Sequence, residues 1–261
     1  MAQTALVTGS SSGIGKGIAL ALAEAGYDVA VHCGTSLEKA ESVAETIRGM
    51  GRKAIVVQAD VKDLDQLNSA IDKTLEEFGH LDVLVNNAGI TRYKRFLDVT
   101  PEFFEEILNT NLRSHFFATQ RVAKHMIENG IRGRIVTTTS VQQEIVLPEA
   151  SIYGGFKAAL GKMVRHWALE LAPYGIRVNG IGPGTIKVND GPDTPRLRQF
   201  ASRTPITRLG SPSDIAPLAV FLADPEKSSF ITGEVFLVDG GQNIPCLCDN
   251  TFIDREPPAN L

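Results

Sequence analysis

Cysteine is scarce in this chain, with three in 261 residues, Cys33, Cys246 and Cys248. Three thiols so placed make no disulfide framework, and one C-x-C pair has no second pair to complete a zinc site, so they read as spectators. No apolar run approaches the roughly 20 residues of a membrane-spanning helix, and no membrane partner is expected. Charge of one sign is also in short supply. The formal charge is −4, from 26 basic and 30 acidic residues, which leaves no basic face for nucleic acid. His32, His80, His115, His125 and His166 show neither H-x-x-x-H spacing nor a nearby carboxylate cluster, so no metal site is expected. The chain enters its first apolar stretch with no room for a charged, apolar, cleavable leader, and the expected location is the cytoplasm.

Glycine and apolar residues are plentiful, at 24 residues and 43% respectively, enough for one large α/β domain with a real core. The stretch Thr4 to Gly26, TALVTGSSSGIGKGIALALAEAG, organises the rest. Ala5, Leu6 and Val7 form a short apolar run, then Ile14, Ile18, Leu22 and Ala25 recur at helical spacing, so a strand gives way to a helix. Gly9, Gly13 and Gly15 stand at that turn, with Ser11, Ser12 and Ile14 beside them. Missing Cβ atoms let the backbone press against a pyrophosphate at the helix N-terminus. The spacing is G-x-x-x-G-x-G, which departs from the generic G-x-G-x-x-G fingerprint.

Strands are predicted at 28–32, 53–58, 81–85, 133–139, 177–181 and 234–238. Helices are predicted at 36–50, 63–78, 101–129, 151–173 and 214–223. The regular alternation, with strands lacking a solvated face, predicts an α/β fold: a single doubly wound parallel sheet of Rossmann type with helices on both sides. Ligands in such sheets sit beyond the carboxyl ends of the strands, where the turns at Gly9, Gly89, Ser140 and Gly184 converge. Residues 185–211 break the rhythm and are expected to form a lid with a short helix near 196–202. The tail 242–261 has no period.

Tyr153 and Lys157 are four apart on a predicted helix and share a face, with Ser140 at the end of the preceding strand. An ammonium beside a phenol favours the phenolate, so the pair is expected to exchange a proton near neutrality. Taken with TGSSSGIG, Asn86-Asn87-Ala88-Gly89, Asn111 and Pro183-Gly184, all in order, the chain resembles the classical short-chain dehydrogenase/reductase family over residues 3 to 241. It looks most like the 3-oxoacyl carrier-protein reductases and the glucose 1-dehydrogenases, for instance in NNAGITR.

The resemblance implies a dinucleotide-binding and catalytic domain over 1–241 that moves a hydride between a nicotinamide and a small carbonyl or alcohol. It implies Tyr153 as proton donor or acceptor and Ser140 as the group orienting the substrate oxygen. Lys157 then binds the nicotinamide ribose and lowers the phenol pKa, and Asn111 holds a relay water. Asn87, Ala88, Gly89, Pro183, Gly184 and Ile186 are expected on the cofactor, with Asp60 and Val61 by the adenine. A sensor that keeps the cofactor without turnover is the alternative. Two departures stand out: Gly154-Gly155 opens the Tyr153 helix with poor helix formers, and Val188 replaces a threonine after Pro-Gly.

The second strand ends His32-Cys33-Gly34-Thr35-Ser36 with no carboxylate, so Thr35 and Ser36 are expected to receive a 2′-phosphate, favouring NADP(H) over NAD(H). Gln142, Gln143 and Glu144 follow Ser140, with Arg92 and Tyr93 opposite, which suggests a polar pocket for a sugar, polyol or 3-oxoacyl compound. The long helices carry Phe103, Phe104, Phe116, Phe117, Phe156, Met163 and Trp167. So much apolar surface suggests a homo-oligomer, a tetramer by resemblance.

Overall fold

The computed structural model describes residues 2–189 and 191–244; Asp190, Cys246, Cys248 and nearly all of the tail 242–261 lie outside them. Seven strands form one parallel sheet: β1 Thr4–Val7, β2 Asp28–Cys33, β3 Ala54–Gln58, β4 Val83–Asn86, β5 Arg134–Thr138, β6 Arg177–Pro183 and β7 Val235–Val238, in the order β3-β2-β1-β4-β5-β6-β7. The chain steps outward from β1 to β2 and β3, then returns to place β4 on the other side of β1. That reversal opens the crevice in which doubly wound sheets bind ligands.

Helices α1 Gly13–Glu24, α2 Leu37–Gly49 and α8 Pro212–Ala223 cover one face, packing Ile18, Leu22, Val43, Ile47, Ile215 and Leu222 against Val7, Val31, Val85 and Ile181. On the other face α3 Leu64–Phe78, α5 Ser114–Glu128 and α6 Ser151–Leu171 pack Leu67, Ile71, Val122, Met126, Leu160 and Trp167 against Leu6, Leu84, Ile135 and Val178. Consecutive strand residues thus feed opposite cores, which is why the strands read as unbroken apolar runs. Among the described residues no helix is long and apolar enough to cross a membrane.

The predicted helix 101–129 is two helices. α4 Pro101–Leu108 is separated from α5 by a wide π-type turn, Asn109–Arg113, that carries Asn111. Apolar spacing does not register such a turn, because the helical direction continues through it. The aromatic stripe is also more inward than expected. Trp167 is buried, Phe116 and Met163 pack on the same core, and Phe104 remains exposed at 41% while its ring meets Phe156 edge to face at 5.1 Å.

The glycine pair in α6 does not loosen its start, since the helix runs unbroken from Ser151. A Cβ on Gly154 would lie 3.3 Å from the Gln142 carbonyl, and one on Gly161 2.8 Å from Gln143 Oε1, so glycine there lets the turn after β5 lie flat on the helix.

The turn after β1 is bound to the turn after β4. The backbone N–H groups of Asn87 and Ala88 donate to Thr8 Oγ1 at 2.9 and 3.0 Å, and Asn87 Nδ2 donates to the Thr8 carbonyl at 3.0 Å. Gly15 occupies the gap between them: a Cβ there would stand 2.4 Å from the Gly9 oxygen and 2.5 Å from Asn87 Nδ2. Gly15→Ala is expected to cost about 1–3 kcal/mol by overpacking and to weaken dinucleotide binding through the displaced turn. Gly155→Ala, with nothing within 4 Å of the added carbon, is expected to stabilise by up to about 1 kcal/mol. Denaturant unfolding and cofactor titration of the two variants check the contrast.

Candidate functional site

One cavity of about 900 Å³ lies across the carboxyl ends of the strands, running from Gly34, Asp60 and Val61 past Gly9, Ser11, Ser12, Gly13 and Ile14 to Ser140, Tyr153 and Lys157. Asn87, Ala88, Gly89, Pro183, Gly184 and Ile186 also stand in its wall.

At the α1 end the walls suit a dinucleotide. Gly9 and Gly13 adopt φ of 65° and 58°, a region that favours glycine. The Ser12 side chain makes no capping bond and the first turn carries no acid, so the helix N-terminal donors stay available to an anion. Gly15 is absent from the wall; its role is to let the two turns pack. Thr35 and Ser36 also stand outside the wall, which ends at Gly34 on this side.

His32, a β2 residue that the sequence pattern does not mark as a site residue, lies in the wall, its Nδ1 accepting the Gly9 N–H at 3.0 Å. Burial pushes its pKa down to about 4. The ring is neutral and carries its proton on Nε2, an atom with no partner among the described residues.

At the other end Ser140 follows β5, and its Oγ accepts the Gln142 N–H at 3.1 Å, opening a tight turn over Val141–Gln143. The turn aims Gln142 into the cavity and leaves Glu144 exposed and outside the wall. Tyr93 closes the opposite side, its hydroxyl accepting from Gln142 Nε2 at 3.2 Å, whereas Arg92 turns away to Glu106 at 2.9 Å. Val188, in the segment 185–211, lines the cavity over the glycine turn, with its Cγ1 3.5 Å from where a Cβ on Gly13 would be.

Lys157 is buried, its Nζ donating to the Thr138 carbonyl at 2.7 Å and standing 5.8 Å from the Tyr153 ring centre. Burial drives its pKa down to about 7. Tyr153 departs from the expected acidified phenol: burial pushes it above its ordinary value, the Thr91 and Ser140 hydroxyls pull it back, and Lys157 is not among the groups acting on it. An ammonium that is itself half discharged at neutrality contributes little charge to its neighbour.

Asn111 stays outside the wall. Its Oδ1 accepts the Ile90 N–H at 2.8 Å and its Nδ2 donates to the Ile90 carbonyl at 2.7 Å. These two bonds pin the segment after Gly89 and leave one Nδ2 donor and one Oδ1 lone pair of the amide uncommitted.

The family model described as enoyl-(acyl carrier protein) reductase matches residues 9–243. The chain belongs to the classical short-chain dehydrogenase/reductases. Among curated members, 3-oxoacyl-(acyl-carrier-protein) reductase FabG of Staphylococcus aureus is 38% identical over 92% of this chain and 98% of its own length. L-rhamnose 1-dehydrogenase (NAD(P)(+)) of a Sphingomonas strain is 36% identical over 93% and 96%. Among solved structures, a short-chain dehydrogenase of Burkholderia cenocepacia in complex with NADP superposes with a TM-score of 0.87 at 38% identity, covering 92% of this chain and 98% of that one. This member of the family is accordingly a nicotinamide-dependent oxidoreductase acting on CH-OH or C=O groups.

The lowered Lys157 pKa sets a pH dependence of stability. Between about pH 7 and the ordinary lysine value of 10.5 the unfolded chain holds a proton that the folded chain has released, so this residue's destabilising contribution is complete below pH 7 and vanishes as pH rises toward 10. Lys157→Met is therefore expected to be favoured over wild type most strongly at or below pH 7 and progressively less up to pH 10. Urea unfolding at four pH values checks this, and a pH-independent difference would contradict it.

Proposed function

We propose that this chain transfers a hydride between NADP(H), favoured over NAD(H), and a small polar carbonyl or alcohol such as a sugar, polyol or 3-oxoacyl compound, using Ser140, Tyr153 and Lys157. The observation that carries this reading is their convergence at one end of a cavity whose other end suits a dinucleotide. Bound there, the nicotinamide supplies or accepts the hydride. Tyr153, its pKa raised by burial, holds its proton at neutral pH and delivers it to the carbonyl oxygen, or takes it back from an alcohol. Ser140 Oγ already accepts the Gln142 N–H, so its own O–H is left to donate to the same substrate oxygen. Lys157, anchored on the Thr138 carbonyl, offers its remaining donors to the ribose and, when protonated, favours the phenolate. Asn111, which holds Ile90 through two bonds, keeps an amide N–H for a relay water.

The cofactor preference is supported by the mouth beyond β2, where no carboxylate directly follows His32 and Asp60 is the sole acid of the cavity wall among the described residues. Thr35 and Ser36 at the rim remain our candidates for a 2′-phosphate. The relative solved with NADP agrees with this preference, and the rhamnose dehydrogenase, named for both cofactors, supports only the broader nicotinamide requirement. We take 1–241 as the working domain, with 185–211 as its lid and Gln142 at the substrate.

Steady-state turnover of aldoses, polyols and 3-oxoacyl thioesters, with NADP(H) and NAD(H) compared by kcat/KM, tests the reading. Tyr153→Phe is expected to lower kcat on the best substrate by about 10²- to 10⁴-fold with cofactor affinity kept. Cofactor binding without turnover of any compound would instead support the sensor reading.

The same proposal includes a homo-oligomer, a tetramer by family resemblance. Leu169 at 76% and Phe230 at 102% exposure, with Phe104, supply apolar surface for it. Sedimentation at micromolar concentration is expected to give a species larger than the 28.1 kDa monomer.

A further inference from the structure

The substrate end of the cavity carries arginines that have no counter-ion among the described residues. The lid contributes several cations, and most are already engaged. Lys187 Nζ lies 2.8 Å from Asp193, Arg208 grips Asp214 with two N–H groups at 2.7 and 2.8 Å, and Arg198 donates to the Asp193 carbonyl. Arg196 and Arg203, on α7 Pro195–Arg203, differ. Both line the cavity, and among the described residues neither makes an ion pair or a hydrogen bond.

Arg196 is also held in a defined pose. Its guanidinium carbon stands 4.6 Å over the Tyr93 ring and 5.7 Å from the Phe200 ring. A guanidinium packed on aromatic rings spends none of its N–H donors on them in hydrogen bonds, and guanidinium takes a carboxylate or phosphate through two parallel bonds. Tyr93 is braced by Gln142, which follows Ser140, so the stacked arginine belongs to the end of the cavity where Tyr153 stands. Among the described residues the only carboxylate in the wall, Asp60, lies beside Gly34 and Val61 at the far end.

We propose that Arg196, assisted by Arg203, receives an oxyanion carried by the substrate, so that the compound reduced or oxidised at Tyr153 is an oxo or hydroxy compound bearing a carboxylate or a phosphate. This assignment rests on the reading of Ser140, Tyr153 and Lys157 given above and narrows it to a substrate class. The lid then does more than exclude water: its charge selects which polar carbonyl compounds bind.

Matched pairs test it, 3-oxobutanoate against its methyl ester and dihydroxyacetone phosphate against dihydroxyacetone, in the wild-type enzyme, Arg196→Met and Arg196→Lys. In wild type one charged member is expected to exceed its neutral partner in kcat/KM by at least about tenfold, mostly through KM. The favoured pair distinguishes carboxylate from phosphate. Raising salt from about 0.05 to about 0.5 M is expected to shrink the preference, because an exposed ion pair is screened. Arg196→Met, which keeps an apolar stem beside the rings, is expected to bring the charged-to-neutral ratio close to 1. Arg196→Lys is expected to fall between, retaining charge without the fork.

Equal turnover of charged and neutral members in wild type, or a ratio unmoved by Arg196→Met, would overturn the assignment. So would an enzyme that turns over aldoses or polyols and neither member of either pair. An equal rise of the NADP(H) KM whichever substrate is used would place the guanidinium on the cofactor and overturn it as well. Failure of every compound in the wider panel would instead sink the oxidoreductase reading of the tyrosine.

Discussion

The close approach of the turns after β1 and β4 is the constraint on which the site depends. Thr8 Oγ1 accepts two backbone N–H groups from Asn87 and Ala88, and the Asn87 amide returns a bond to the Thr8 carbonyl. These bonds bridge the two sides of the point at which the strand order reverses, so they hold open a crevice that the sheet alone would leave to two independent loops. Gly9 and Gly15 are needed there because any side chain would displace the partner: a Cβ on Gly9 would come within 2.9 Å of Ala88 Cα. The glycines therefore serve the fold and the ligand together, and the wall residues show which serves which. Gly9 and Gly13 face the cavity, and Gly15 faces Asn87.

Burial sets the electrostatics around the cavity. Lys157 is desolvated with one carbonyl as partner, His32 is held neutral against the glycine turn, and His115 is buried against the Ala88 carbonyl at 2.7 Å with its pKa pushed down to about 3. Each is a basic group kept in its discharged form, or close to it, by lack of water. A site arranged this way presents hydrogen-bond donors and acceptors more than net charge. Segment 185–211 adds two arginines, Arg196 and Arg203, to the cavity wall, and its ends are pinned together through the backbone bonds of Thr185 and Lys187 with Gly210.

Much of this was legible from residue order. Short apolar runs between helical periods specify a parallel sheet covered on both faces, because each strand must feed two cores, and the alternating burial of Val7 against Leu6 and Val85 against Leu84 is that requirement met. The glycine turn, Ser140, Tyr153 and Lys157 were recognisable because they sit at element ends or at helical spacing, where local geometry decides their direction. The π-type turn at Asn111 was not, since one extra residue in a helical turn leaves the apolar period almost intact.

By itself the sequence determined the fold class, the strand order's logic and the family, because these follow from periodicity, turn chemistry and motif order, all of which are local or additive along the chain. Only the tertiary structure decided which polar side chains meet the cavity. Gln142 enters and Glu144 does not because Ser140 starts a tight turn over Val141–Gln143, and Arg92 leaves for Glu106 while its neighbour Tyr93 packs under Arg196. The protonation of Tyr153 and Lys157 was likewise beyond reach of the sequence: spacing places an ammonium near a phenol, but the depth at which both are buried decides whether either carries charge.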